Sequence, residues 1–252
     1  MKLFLTIGYL GTNYCGYQVQ PGKPTVQKAI GDAAKALFGF DCDVVGCSRT
    51  DSGVHATCFC ATIAEKGKKS LTASIDASRV PLALSAHLPR DIAVYDAKWV
   101  PDDFHARYDV KEKEYLYRIC NRAVRDPFEE GRACHVPVRI SDDDLARMRE
   151  AATYFVGRHD FSAFRAVGSK ETDPTRTVFS ASIEREGNLV LFRVSADGFL
   201  YHMVRIMAGT LLEVAAGKRA PDSVKALLED PSLGSAGMTA PAEGLYLVRV
   251  TY

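Results

Sequence analysis

Apolar runs separated by polar, glycine-containing breaks divide the chain into segments of two kinds, one with the period of a strand and one with the period of a helix. Residues 2–9, Lys-Leu-Phe-Leu-Thr-Ile-Gly-Tyr, predict a first strand. Thr25 then opens a helical pattern in which Val26, Ala29, Ile30, Ala33, Ala34, Leu37 and Phe38 recur until Gly39 stops it. Two short strands follow over 44–47 and 58–63, then a helix over 71–87 and an extended segment over 92–100. The order of this half is β-α-β-β-α-β.

The second half repeats that order. A strand over 115–120 precedes a helix that starts at Ser141 and runs through Leu145, Met148, Ala151, Ala152 and Phe155. Ser141-Asp142-Asp143-Asp144 puts acids at the positive end of that helix. Strands over 177–183 and 189–194 flank a Gly187-Asn188 hairpin signal, a helix spans 201–216, Asp222 caps a short helix over 223–228, and a last strand covers 245–252. Two such split units predict an α+β fold of two pseudo-repeated halves, with antiparallel sheets joined around a central cleft and helices packed on one face. Residues 1–103 form the N-terminal half and residues 104–252 the C-terminal half that completes the cleft. Polar breaks at 65–70 and 166–174 are mobile by default, and one can close over a substrate.

Composition narrows the class without choosing a ligand. The chain has 252 residues, 47% of them hydrophobic, enough for one large domain or two small ones. Its 32 basic and 31 acidic residues nearly cancel, so a polyanion must be held by local clusters rather than by a whole-molecule field. Seven cysteines without a C-x-x-C pair argue against a disulfide framework or a zinc ribbon and for a reducing cytosol. Cys58 and Cys60 share one strand face as small buried hydrophobes, and no metal is assigned. The apolar N-terminal stretch is shorter than a signal-peptide core and far below the roughly 20 residues that span a membrane.

Candidate chemistry centres on Arg49-Thr50-Asp51-Ser52-Gly53-Val54-His55, where an acid stands between an arginine and a glycine turn. Arg49 can hold Asp51 ionised, and Gly53 can adopt positive φ, presenting the carboxylate at a loop tip. The plain alternative is a surface turn with Asp in a favoured position. Three other segments combine aromatic groups with cations. Phe104-His105-Ala106-Arg107-Tyr108 leads to Tyr115 and Tyr117, which share a strand face; base stacking and core packing explain that alternation equally well. Gly157-Arg158-His159-Asp160-Phe161 with Arg165 offers phosphate donors, or only charge compensation at a helix C-terminus. In His202-Met203-Val204-Arg205 the apolar helix buries a guanidinium, which demands a carboxylate; Asp51 is the candidate partner. His202 reads as a packing or hydrogen-bonding histidine rather than a general base.

These segments resemble the tRNA pseudouridine synthase A family. The resemblance rests on Cys47 through Ala56, Phe104-His105-Ala106-Arg107, Gly157 through Phe161, His202 through Arg205, Glu243-Gly244-Leu245-Tyr246-Leu247 and the start Tyr9 through Gln18, in family order over essentially the whole chain. It implies isomerisation of uridine to pseudouridine in the anticodon arm of tRNA, at about positions 38 to 40, without cofactor or metal. It also implies a homodimer in which one tRNA can touch both subunits. Asp51 matches the catalytic aspartate, Tyr115 the tyrosine that packs on the target base, Arg205 the arginine that pairs with the aspartate, and Arg49 an arginine associated with base flipping. His55, Arg107, Arg158 and Arg165 join Tyr115 and Arg49 as substrate-binding candidates.

Departures from the family pattern are Ser52, where alanine or lysine is common, Cys47-Ser48, where alanine and glycine are frequent, and Ser85-Ala86-His87 ahead of Leu88-Pro89. Two other readings stay open: an RNA-binding module of the same fold without catalysis, and a metal-independent hydrolase that uses Asp51 with His55. The hydrolase needs a second acid, and none of Asp91, Asp109 or Asp160 stands out.

Overall fold

A computed structural model describes residues 1–168 and 171–252; within the loop over 166–174, Ser169 and Lys170 lie outside the described residues. The strands are β1 (Lys2–Tyr9), β2 (Cys42–Gly46), β3 (His55–Glu65), β4 (Ile92–Val100), β5 (Glu112–Cys120), β6 (Cys134–His135), β7 (Gly157–Asp160), β8 (Thr175–Glu186), β9 (Leu189–Ala196) and β10 (Leu245–Thr251). The α-helices are α1 (Val26–Phe38), α2 (Val80–Ser85), α3 (Asp142–Thr153), α4 (Met203–Ala215) and α5 (Ser223–Glu229). The class is α+β with mostly antiparallel pairing. β10 with β3 and β6 with β5 pair in parallel, which the antiparallel expectation did not include.

The chain forms two compact units, Met1–Lys111 with Tyr246–Tyr252, and Glu112–Leu245. In the first, the strand order is β4-β1-β3-β10, and β2 also pairs with β3. β1 lies between two antiparallel neighbours, and Leu3, Phe4, Leu5, Ile7 and Tyr9 are all buried. α1 buries Val26, Ile30, Ala33 and Ala34, the stripe expected from its spacing, and ends at Gly39 with φ 80°. In the second unit the order is β5-β9-β8-β7, with β6 beside β5. α3 packs against α4 and β8. Its start is a full capping box, with Ser141 Oγ accepting from the Asp144 amide at 3.1 Å and Asp144 accepting from the Ser141 amide at 2.8 Å. Among the described residues no helix is long and apolar enough to cross a membrane.

Three expectations change. The helix over 71–87 contracts to a 3₁₀ turn, Ala77–Arg79, running into α2. Pro81 has no N–H to donate and is tolerated only in a first helical turn, and Asp76 caps the start by accepting from the Ser78 amide at 2.9 Å. Asp222 precedes α5 with helical φ and ψ of −67° and −16°, and its side chain makes no cap hydrogen bond. Finally, α3 stops at Thr153, so Arg158 and His159 lie on β7, paired with β8, rather than at a helix C-terminus. Charge compensation of a helix dipole therefore does not account for them.

Candidate active site

Asp51 is half-buried in the connection between β2 and β3, and the flanking backbone is held by groups from the segment after β1. Thr50 turns inward: its Oγ1 lies 2.8 Å from the Tyr9 hydroxyl, and its carbonyl accepts the Tyr17 amide at 3.1 Å. Gly53 has φ 80°, as the presentation of an acid on a tight turn requires, and the Val54 amide donates to the Asp51 carbonyl at 3.2 Å. Ser52 Oγ donates to the Tyr14 carbonyl at 3.1 Å. Two glycines let the segments meet. A Cβ on Gly11 would stand 2.0 Å from the Val54 oxygen, and one on Gly16, whose φ is 87°, would stand 2.7 Å from the Thr50 oxygen.

Arg49 does not hold Asp51 as the sequence suggested. Its side chain is exposed and makes no ion pair among the described residues, because Thr50 is the residue of the trio anchored inward and Arg49 is left to solvent. His55 is fully buried at the start of β3, where its Nδ1 accepts the Gly11 amide at 2.9 Å and its ring stacks on Tyr246 at 4.5 Å. Nδ1 is thus an acceptor committed to the Gly11 backbone. In the same unit, the Arg107 amide donates to His105 Nδ1 at 3.1 Å, while its guanidinium has no hydrogen-bond partner among the described residues.

In the second unit, Tyr115 is 7% exposed on β5, and its ring meets the edge of Phe199 at 5.1 Å. Tyr117, two residues on, is a core residue: fully buried, with its hydroxyl donating to the Pro241 carbonyl at 2.8 Å. Burial, followed by the neighbouring Cys134, raises its pKa. Both tyrosines of the alternation are therefore buried, Tyr117 fully and Tyr115 with a small part of its surface left exposed.

Arg205 lies in the first turn of α4, where Nε donates to the Ala240 carbonyl at 2.8 Å and the Ala240 amide returns a bond to the Arg205 carbonyl at 3.1 Å. This reciprocal pair fixes the stem of the side chain. α4 starts from His202, the non-glycine residue among those described that has positive φ, 59°, with its ring on Tyr201 at 3.9 Å. Such a conformation costs about 1 kcal/mol for a residue with a Cβ and clusters at functional sites. Arg158 is exposed on β7, and Arg165 donates from Nη1 to the Glu171 carbonyl at 2.8 Å, just beyond the buried rings of Phe161 and Phe164.

The structure thus places Arg49 and Asp51 in the connection that leads to His55 at the start of β3, and Tyr115 and Arg205 on β5 and α4, which pack together. Sequence reasoning missed Tyr9, Tyr14 and Phe199 as neighbours of the candidates. The tyrosines and glycines spaced through Tyr9-Leu10-Gly11-Thr12-Asn13-Tyr14-Cys15-Gly16-Tyr17 were the available signal for the first two. No group of three His, Cys, Asp or Glu side chains among the described residues is arranged to hold a metal ion.

A family model described as tRNA pseudouridine synthase matches residues 6–109 and 151–252. The tRNA pseudouridine synthase A of Acetivibrio thermocellus is 44% identical over 248 residues, covering 98% of each chain. Its namesake in Bacillus pumilus is 42% identical over 257 residues, covering 100% of this chain and 99% of that one. The Thermoanaerobacter sp. protein of the same name is 40% identical over 251 residues with the same coverage.

Proposed function

The chain belongs to the tRNA pseudouridine synthase family, a family of isomerases, and from that premise we propose that it converts uridine to pseudouridine in the anticodon stem-loop of tRNA, at about positions 38 to 40, with Asp51 as the catalytic residue. The observation that carries the reading is the Asp51 turn. Hydrogen bonds at Thr50 and Ser52 and a positive φ at Gly53 hold the backbone on both sides of a half-buried carboxylate. Nothing in a mere surface turn calls for that much buried support.

The reaction requires a uracil to leave the stack, lose its N-glycosidic bond, rotate and rejoin the ribose through C5, all without release of the base. Extrusion costs a few kcal/mol, and stacking on an aromatic side chain returns about 1 to 3 kcal/mol per base. Tyr115 enters the proposal as that stacking group, its ring already oriented by Phe199. Arg205, with its stem fixed at Ala240, enters as the cation for a mechanism that keeps the catalytic carboxylate ionised. Asp51 can act on the sugar, add to the uracil or remove a ribose proton; each begins from the carboxylate anion.

Arg49 and Arg107, whose guanidinium groups have no partners among the described residues, suit phosphate contacts, and exposed Arg158 with Arg165 extends the set. His55 contributes by holding Gly11 against the start of β3. In the same proposal, residues 1–103 supply the Asp51 loop and residues 104–252 complete the cleft, and the enzyme works in the cytoplasm as a homodimer without cofactor or metal.

The test is to incubate the protein with unmodified tRNA and map pseudouridine, alongside Asp51→Asn. We expect product in the anticodon arm from the wild type and none from the variant. Product that survives in Asp51→Asn would remove the role given to the aspartate. Binding without product in the wild type would favour an RNA-binding module, and free uracil a hydrolase.

A further inference from the structure

Asp91, in the loop between α2 and β4, is tied to the segment before α1 three times. Its carbonyl accepts the Leu10 amide at 2.9 Å, its Oδ1 the Tyr14 hydroxyl at 2.6 Å, and its Oδ2 the Asn13 side-chain amide at 3.2 Å. The Tyr14 ring is buried, and desolvation, followed by the hydrogen bond to Asp91 and then its charge, raises its pKa, so the hydroxyl stays protonated and donating across the physiological range. The Tyr14 main chain is held on both sides, its amide on the Gly11 carbonyl at 2.9 Å and the Cys15 amide on the Pro24 carbonyl at 2.8 Å. The carbonyl between those two points takes the Ser52 hydroxyl at 3.1 Å, one residue after Asp51.

We propose that Asp91 and Tyr14 are positioning residues for Asp51: the Asp91 clamp fixes the Tyr14 carbonyl, the carbonyl fixes Ser52, and Ser52 sets the direction of the preceding carboxylate. This rests on Asp51 being the catalytic residue, while the holding of the loop is measurable apart from catalysis. The short bond from a neutral hydroxyl to a carboxylate is of the stronger, charge-assisted kind. Catalysis is sensitive at this scale, since a misplacement of about 1 Å can cost on the order of a hundredfold in rate. Within the clamp, Asp91 acquires a use that its position in the sequence did not suggest.

The experiment compares Tyr14→Phe, Ser52→Ala, Asp91→Ala and Asp91→Asn with the wild type. It reads single-turnover pseudouridine formation, tRNA affinity, melting temperature and deuterium uptake of peptides covering residues 47–55. We expect Tyr14→Phe and Ser52→Ala each to slow the single-turnover step by about tenfold while leaving tRNA affinity within about twofold. Asp91→Asn, which keeps an oxygen to accept from Tyr14, stays nearer the wild type than Asp91→Ala. The double variant Tyr14→Phe with Ser52→Ala is no slower than the worse single one, because both break one chain of contacts. Uptake in the loop peptides rises in Tyr14→Phe, with β1 and α1 peptides unchanged.

Loop uptake that does not change in Tyr14→Phe overturns the proposal whatever the activity shows. So does a rate loss that merely follows a fall in melting temperature with uptake raised throughout. If the wild type makes no pseudouridine, it is the assignment of Asp51 that fails, and the uptake data still decide whether Asp91 holds the loop.

Discussion

The hydroxyl of Tyr9 lies 2.8 Å from Oγ1 of Thr50, joining the end of β1 to the residue just before Asp51. Tyr9 is 4% exposed and Thr50 8%, so water does not readily replace either partner. Tyr9→Phe and Thr50→Val should each cost about 1 to 2 kcal/mol of stability, since each removes a hydrogen bond between two buried hydroxyls. The double variant should cost less than the sum, with a coupling of about 1 kcal/mol in urea unfolding. Strictly additive losses would show that the two hydroxyls do not act as a pair.

Steric demand separates the glycines around the same loop. Gly11→Ala places a methyl 2.0 Å from the Val54 oxygen, and the backbone that must yield carries the Asp51 turn. Gly22→Ala meets nothing within 4 Å and faces only the strain of φ 71°. Gly11→Ala should therefore lose about 1 to 3 kcal/mol and most of the activity, whereas Gly22→Ala should lose about 1 kcal/mol and keep it. Equal activity in the two variants would mean that close approach at Gly11 does not shape the turn.

Thiol chemistry should differ by position along the chain. Cys58 has its pKa lowered to about 6, first by the hydrogen bond from Cys60 and then, against the cost of burial, by the Val250 amide. Cys60, its buried partner, is shifted the opposite way, so the pair gives up its first proton at Cys58. Cys42 is raised to about 11 by burial, with Asp41, Asp43 and Glu65 adding to it. Since the thiolate is the nucleophile, alkylation of Cys58 should rise through about pH 6 and level off, while that of Cys42 should still be climbing above about pH 9. Peptide mapping after iodoacetamide treatment across pH reads both. Parallel profiles would contradict the Cys58–Cys60 hydrogen bond.

Tyr115→Phe keeps the ring and its edge contact with Phe199. If stacking is the binding contribution, tRNA affinity should stay within about twofold of the wild type, because the π face is what a base senses. A loss on the order of tenfold or more would assign the hydroxyl a part in binding.

Much of the fold could be read from local chemistry. α1 ends where Gly39 requires a left-handed residue, and α3 begins where Ser141 and Asp144 can cap each other; both signals lie within a few residues of their effect. Where a single residue outweighs a pattern, the pattern misled: apolar spacing suggested a helix across 71–87, and Pro81 confines it. β7 has four residues, too few to show a period before Arg158 and His159 suggest a helix end. Around Asp51, the turn and its positive-φ glycine were legible because they are local. The failure of Arg49 to pair with Asp51 was not, since it depends on Thr50 facing a tyrosine 41 positions away. The Tyr14 to Asp91 bond, spanning 77 positions, has no sequence signature at all.

The parallel pairing of β10 on β3 has a consequence for how the protein comes into being. Tyr246 and Leu247 lie opposite His55 and Ala56, so the edge next to the Asp51 turn is closed by residues the ribosome adds only after Glu112–Leu245. β2 covers the other end of β3, from Ala61 to Glu65. A nascent chain therefore carries an open strand edge beside the Asp51 turn while all of Glu112–Leu245 is still being made. β10 works as a latch, and until it is made that edge of β3 has no partner beside His55 and Ala56.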